Sequence, residues 1–149
     1  MLLAVRTEFV RDGRAPIPRD PKISKTMSRI RAKNSKPELA LRKALSLAGV
    51  RGYRLHPKNI PGKPDVCFIG KRVAVFVNGC FWHQCPFCTP KGPKSHKRFW
   101  MDKFTKNVAR DKKNIATLKA AGWMVIVCWE CKIKKDIQVI VKRIEKGVS

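Results

Sequence analysis

Val75–Cys88 reads "VFVNGCFWHQCPFC", and the chain turns on how it is read. The strand "RVAVFVN", Arg72 to Asn78, is almost wholly apolar and rich in β-branched residues, which places it in the middle of a sheet. It runs straight into Cys80, Phe81, Trp82, His83, Cys85 and Cys88, all within nine positions. A core wants the aromatics without the histidine, and a zinc knuckle wants the cysteines without Phe81-Trp82. The segment therefore serves more than one task.

Working outward, "DVCFI" before Gly70-Lys71 is the partner strand of a hairpin, with glycine first as a type II′ turn prefers. "GYRLH" is a short strand, followed by the loop "PKNIPGKP". Upstream, "SKPELALRKALSLAG" predicts a helix. Ser35 and Glu38 have capping-box spacing, Pro37 suits the first turn, and Gly49 stops it. Its buried face is Leu41, Ala44, Leu45 and Ala48.

Downstream, residues 79–98 form a loop rich in Cys, Pro and Lys. A long helix follows, with Phe104, Val108, Ile115 and Leu118 on its apolar face and Gly122 at its end. "WMVIVCW" is a further buried strand, and "KKDIQVIVKRIEK" a last helix facing inward with Ile137, Ile140, Val141 and Ile144. The order predicts an α/β fold, a mixed sheet with helices packed on it. Residues 1–24, dominated by Pro, Arg and Asp, read as a flexible basic arm; a mere tail is the safer reading.

The chain has 149 residues, which suits one domain able to bury its own core. It carries 34 Lys and Arg against 10 Asp and Glu, a net charge of +24. Such a surplus cannot pair internally. It points to nucleic acid, where each neutralised phosphate releases counterions. A ribosome-associated or membrane-surface protein is the blander reading, the latter weakened because no long basic amphipathic helix dominates. No apolar run approaches the roughly 20 residues of a membrane span, and "MLLAV" is too short for a signal-peptide core. A reducing cytoplasm is expected, where six cysteines suggest metal rather than disulfides.

By spacing alone, Cys85/Cys88 and Cys128/Cys131 form two C-x2-C pairs. Cys128, however, lies inside an apolar strand, whereas Cys131 lies just past it. Cys80, Cys85, Cys88 and Cys131 are the preferred tetrahedral zinc ligands, with Cys67 and Cys128 in the core. Asp65 opens a strand after a Gly/Pro loop. It is a candidate Mg²⁺ ligand, or else a turn cap. The hairpin brings Asp65 near residues 77–83, where His83 is a candidate general base or a group attending the zinc. The capping box accounts for Glu38 by itself. Phe81, Trp82 and Trp100 suit either an apolar wedge entering a DNA stack or a mini-core over the zinc; composition favours the mini-core.

Five segments together resemble one family. "KTMSRIRAKNSKPELALRKAL", "PGKPDVCF", "AVFVNGCFWHQC", "FWMDKFTKNVARDKKNIATLKAAGW" and "VCWEC" look like the very short patch repair (Vsr) DNA mismatch endonucleases, from about Lys25 to Cys131. The resemblance implies a restriction-endonuclease-like core over residues 25–149 with a central mixed sheet and a structural zinc loop. It implies nicking of double-stranded DNA 5′ to the thymine of a T:G mismatch left by deaminated 5-methylcytosine. Asp65 would hold catalytic Mg²⁺ with the carbonyl of Val77. His83 would be the base, and Glu38 a supporting acid. Phe81, Trp82 and Trp100 would intercalate beside the mismatch, and Met27 would approach from the minor groove. The zinc ligands would be the four cysteines above, where some relatives use histidine. The resemblance also implies a monomer at the bacterial nucleoid, with mismatch-repair proteins as candidate partners.

Two departures matter. Asn78 stands where some relatives have a second active-site histidine, and an amide orients groups but does not shuttle protons. No Glu-x-Lys follows Asp65, so a lysine-assisted mechanism is not expected. Against the mismatch endonuclease stand two alternatives: a zinc-stabilised nucleic-acid-binding module, and a restriction-type nuclease without mismatch specificity.

Overall fold

The structure is a computed structural model describing residues 33–149. The basic arm at residues 1–24 and Met27 lie outside the described residues. In chain order the elements are α1 (Lys36–Leu47), β1 (Val66–Phe68), β2 (Val73–Asn78), α2 (Lys97–Ala120), β3 (Met124–Trp129), α3 (Glu130–Lys135) and α4 (Ile137–Val148).

The sheet has three strands in the order β1-β2-β3. β1 pairs antiparallel with β2, Phe68 opposite Val73 and Val66 opposite Val75. β3 pairs parallel with β2 from Val73/Met124 to Asn78/Trp129. A parallel pair needs a crossover, and α2 supplies it. β2 is thus central, as its near-continuous apolar sequence requires. Val73 and Val75 join Leu41, Leu45, Ile126, Val141 and Ile144 in one core cluster. α1 packs on α4 and α3, while α2 packs on β3.

α1 begins with proline in its first turn and ends where Gly49 takes φ 76°. Leu41, Ala44 and Leu45 are buried as the periodicity requires, and Ala48 is exposed. The capping box does not form. The Ser35 side chain makes no cap hydrogen bond, and Glu38 turns inward, only 2% exposed. In α4, Asp136 accepts from the N–H groups of Gln138 and Val139, a true N-cap.

Three local expectations are corrected. "GYRLH" is no strand but a single bridge, Arg54 to Cys67. The hairpin is not a two-residue type II′ turn. Its connection spans residues 69–72, the Arg72 N–H donates to the Ile69 carbonyl, and Arg72 rather than Gly70 carries the positive φ, 52°. After β3 the chain makes the separate short helix α3 before Asp136 starts α4, and α3 carries Cys131.

At Gly62 only glycine fits. Its φ is 78°, and a Cβ there would lie 3.0 Å from the Phe76 ring. That close approach brings the loop before Asp65 onto β2. Among the described residues, no helix is long and apolar enough to cross a membrane.

Candidate active site and metal centre

Asp65 stands immediately before β1, across the hairpin from the end of β2. Its Oδ2 accepts the Val77 N–H at 2.6 Å. The recorded contact is thus with the Val77 amide, not the carbonyl that the family pattern makes a metal ligand. Burial pushes the Asp65 carboxyl up to about 6. The Val77 N–H opposes this, the charge of Glu38 adds to it, and His56 and His83 pull it down. A carboxylate held so reluctantly in its charged form is the kind of group that a bound cation stabilises.

A cavity of about 510 Å³ opens here, its walls including Asp65, Val77, Asn78, His83, Asp111 and His56. Asp65, Asn78 and His83 therefore meet in one place, as the sequence suggests. Another cavity, about 440 Å³, is lined by residues such as Phe87, Val125 and Val139 and has no acid in its wall. Its charged groups, Lys119, Lys132 and Arg143, are all basic.

His83 sits in the turn after β2, its N–H donating to the Gly79 carbonyl. Its Nδ1 lies 2.5 Å from Asp111 Oδ2, on α2. A carboxylate only accepts, so the proton belongs on Nδ1 and the Nε2 lone pair stays available. Asp111 was missed in the sequence. Its one signal is rarity, an acid in a helix otherwise dense in Lys and Arg.

Glu38 has moved furthest from its sequence reading. Its Oε1 lies 2.7 Å from His56 Nε2, and its Oε2 accepts the Asn34 N–H at 3.1 Å. Arg42 approaches Oε1 at 3.8 Å. A local role at the helix start therefore accounts for only one oxygen of Glu38; the other is taken by His56. His56, also missed, stands between Glu38 and Asp65, with Nδ1 3.7 Å from Asp65 Oδ1.

The cysteines sort as expected from strand position. Cys67 and Cys128 are core residues, 0% and 2% exposed. The sulfurs of Cys80, Cys85, Cys88 and Cys131 lie together, every pair within 4.8 Å. Cys85 and Cys131 are 3.7 Å apart. A zinc–sulfur bond of about 2.3 Å in a tetrahedron sets sulfurs about 3.8 Å apart, so the donor set fits zinc. The Cys131 N–H points at Cys80 Sγ at 3.3 Å, and the Phe87 N–H at Cys85 Sγ at 3.4 Å. Such donors favour thiolate. Burial pushes the Cys80 thiol up to about 12. At Cys85 burial acts the same way, but the N–H groups of Cys88 and Phe87 and the neighbouring thiols outweigh it and bring it down to about 7.

The aromatics pack on one another. Phe81 meets Trp82 and Phe104 edge-on, each at 5.1 Å between ring centres, and Trp82 meets Trp100 at 5.5 Å. Trp100 stacks on Phe104 and is 8% exposed, whereas Phe81 and Trp82 are half-buried. The rings form a mini-core, the arrangement that composition favours. Phe81 and Trp82 form its accessible part. The Asn107 amide holds the Trp82 carbonyl at 3.2 Å, tying this turn to α2.

Comparison with known proteins gives the chain's relatives. The family model "DNA mismatch endonuclease Vsr" matches residues 18–88. The type II nicking enzyme V.XorIIP of Xanthomonas oryzae pv. oryzae is 43% identical over 107 residues, 72% of this chain and 78% of the relative. The type II nicking enzyme V.NmeAIP of Neisseria meningitidis is 44% identical over 117 residues, 76% and 80% of the two chains. The DNA mismatch endonuclease Vsr of Escherichia coli is 32% identical over 129 residues, covering 84% of this chain and 82% of that one.

Proposed function

The chain belongs to the Vsr family of DNA mismatch endonucleases, and from that premise we propose that it nicks one strand of a duplex 5′ to the thymine of a T:G mismatch. The observation that carries this reading is the cavity in which Asp65 and His83 meet, His83 already oriented by Asp111. The net charge of +24 supplies the attraction to phosphate.

Asp65, with the Val77 carbonyl, would hold Mg²⁺, and the ion would supply positive charge against the phosphodiester oxygens. His83 takes a proton from water at Nε2, because Nδ1 is committed to Asp111. As imidazolium it is stabilised by that carboxylate. Asn78, only 8% exposed at the end of β2, orients water or phosphate without exchanging protons. Glu38 acts behind His56 and not on the reacting atoms. Phe81 and Trp82 enter the stack beside the mismatch, with Trp100 and Phe104 as the base they hinge from. The four cysteines would hold zinc, which would stiffen the turn that carries both wedge and base. Met27 would approach from the minor groove.

The architecture behind this reading is a restriction-endonuclease-like core in residues 25–149, acting as a monomer on nucleoid DNA in a reducing cytoplasm. The second reading is a nuclease without mismatch preference; the two relatives named type II nicking enzymes carry no mention of a mismatch in their names. One assay separates them. Duplexes carrying T:G, T:A or C:G at one position are incubated with wild type and Asp65→Ala, with and without Mg²⁺. Cutting of T:G alone, only with metal and only by wild type, is expected. Equal cutting of all duplexes establishes the second reading. Binding without cutting by the wild type overturns both.

A further inference from the structure

His56 lies outside the residues that the family pattern picks out, yet it occupies the gap between Glu38 and Asp65. The backbone goes out of its way to put it there. His56 has φ 48°, a left-handed conformation, directly before Pro57, where the α regions are disfavoured. Both oxygens of Glu38 are engaged, one by the Asn34 N–H and one by His56 Nε2 at 2.7 Å. That contact places the ring proton on Nε2, because the carboxylate only accepts. Nδ1 is left with a lone pair, 3.7 Å from Asp65 Oδ1. The separation is too long for a hydrogen bond. Two adjacent donors that share one octahedral ion at about 2.1–2.2 Å each stand about 3.0 Å apart, so the ring and the carboxylate would have to close by about 0.7 Å on the ion.

We propose that His56 Nδ1 is a direct ligand, beside Asp65, of the divalent cation in the nuclease cavity, and that Glu38 positions it. A carboxylate behind the far nitrogen of a metal-bound imidazole is a recurrent arrangement; it fixes the tautomer and strengthens the donor. This inference rests on reading the cavity as the metal-dependent nuclease site. It deepens that reading in a definite direction. A nitrogen donor raises affinity for Mn²⁺ and Co²⁺ relative to Mg²⁺, which takes oxygen ligands. Glu38 is thereby a positioning residue, not a catalytic one.

The test uses the full chain with its zinc retained, loaded with one equivalent of Mn²⁺. Electron spin-echo modulation from a directly bound ¹⁴N reports imidazole on the ion whether or not DNA is cut. The signal is expected in wild type and lost in His56→Gln, and the ratio of Mn²⁺ to Mg²⁺ affinity is expected to fall about tenfold or more. Persistence of the signal in His56→Gln, or its absence from wild type, overturns the proposal. Should His56→Gln fail to fold, the double variant His83→Ala/His96→Ala decides, because the chain has three histidines. Retention there assigns the nitrogen to His56, and loss overturns the assignment. Glu38→Gln is expected to keep the nitrogen signal but weaken Mn²⁺ binding; unchanged affinity removes its positioning role. Nicking of the T:G duplex is measured alongside. A nitrogen signal without nicking refutes the nuclease reading while leaving the ligand in place; nicking without the signal does the reverse.

Discussion

His83 of the turn after β2 and Asp111 of α2 meet through Nδ1 and Oδ2 at 2.5 Å, although 28 residues separate them in the chain. The contact sets which imidazole nitrogen is available for chemistry. Asp111→Asn keeps the shape but loses the charge that stabilises the imidazolium. The nicking rate at saturating DNA is expected to fall about 10²-fold or more, with DNA affinity little changed. Single-turnover nicking beside a binding titration checks this. An unaltered rate would sink the role given to Asp111.

Charging the buried Asp65 carboxyl costs the fold stability. Its folded carboxyl titrates at about 6 against an ordinary 3.8, chiefly because it is buried. A raised carboxyl favours the protonated form in the folded state. The folded state therefore loses stability as pH rises from 3.8 to about 6, and the loss persists above that. It amounts to about 3 kcal/mol at most. In zinc-loaded protein without added Mg²⁺, Asp65→Asn is expected to melt higher than wild type at pH 7.5. The gap should close toward pH 4. The same variant should not nick. A lower melting temperature at pH 7.5 contradicts the account.

The sulfurs of Cys80, Cys85, Cys88 and Cys131, which could hold zinc, come from the segment that carries Phe81, Trp82 and His83 and from α3. Cys131→Ser is expected to lose bound zinc and, with it, nicking, whereas Cys67→Ala and Cys128→Ala keep the metal while weakening the core. Metal content measured after gel filtration separates these outcomes. Cys85 titrates at about 7, and Cys80, pushed up by burial, at about 12. Zinc loading must therefore release protons, and affinity should fall as pH is lowered from 8 to 6. Retention of full zinc by Cys131→Ser would redirect the fourth ligand.

Trp82 and Trp100 touch each other but should respond differently to truncation. Trp100 is 8% exposed and stacked on Phe104, so Trp100→Ala should cost about 3 kcal/mol or more in stability. Trp82 is half-buried, and Trp82→Ala should cost less stability while lowering the preference for T:G over T:A. Urea denaturation and competition binding with the two duplexes give both numbers. A preference undiminished in Trp82→Ala excludes that residue from the wedge.

Much of this molecule is legible from neighbouring residues alone. The apolar run of β2 implies a central strand, the periodicity of α1 and α4 marks their buried faces, and Gly49 and Gly122 end helices with φ 76° and 85°. The choice of Cys131 over Cys128 also follows locally, because one lies within a strand and the other just beyond it. Asp65 and His83 were visible through the pattern around them. Such features are set by backbone geometry and by burial that repeats along the chain.

What stayed hidden depends on partners remote in sequence. Glu38 has a complete local explanation as a helix cap, yet it is buried against His56, 18 residues away. Asp111 looks like one more charge on a solvated helix until α2 crosses over β2–β3 and lays it on His83. The short strand expected at "GYRLH" gave way to a loop whose tight turns, at His56 and Gly62, serve the cavity rather than the sheet. The local sequence by itself determined the central strands, the main helices, the core stripe and which four cysteines could share a metal. Only the tertiary structure decided which acid faces which imidazole, because a buried charge takes the nearest partner that packing delivers, and that distance is not written in the spacing of residues.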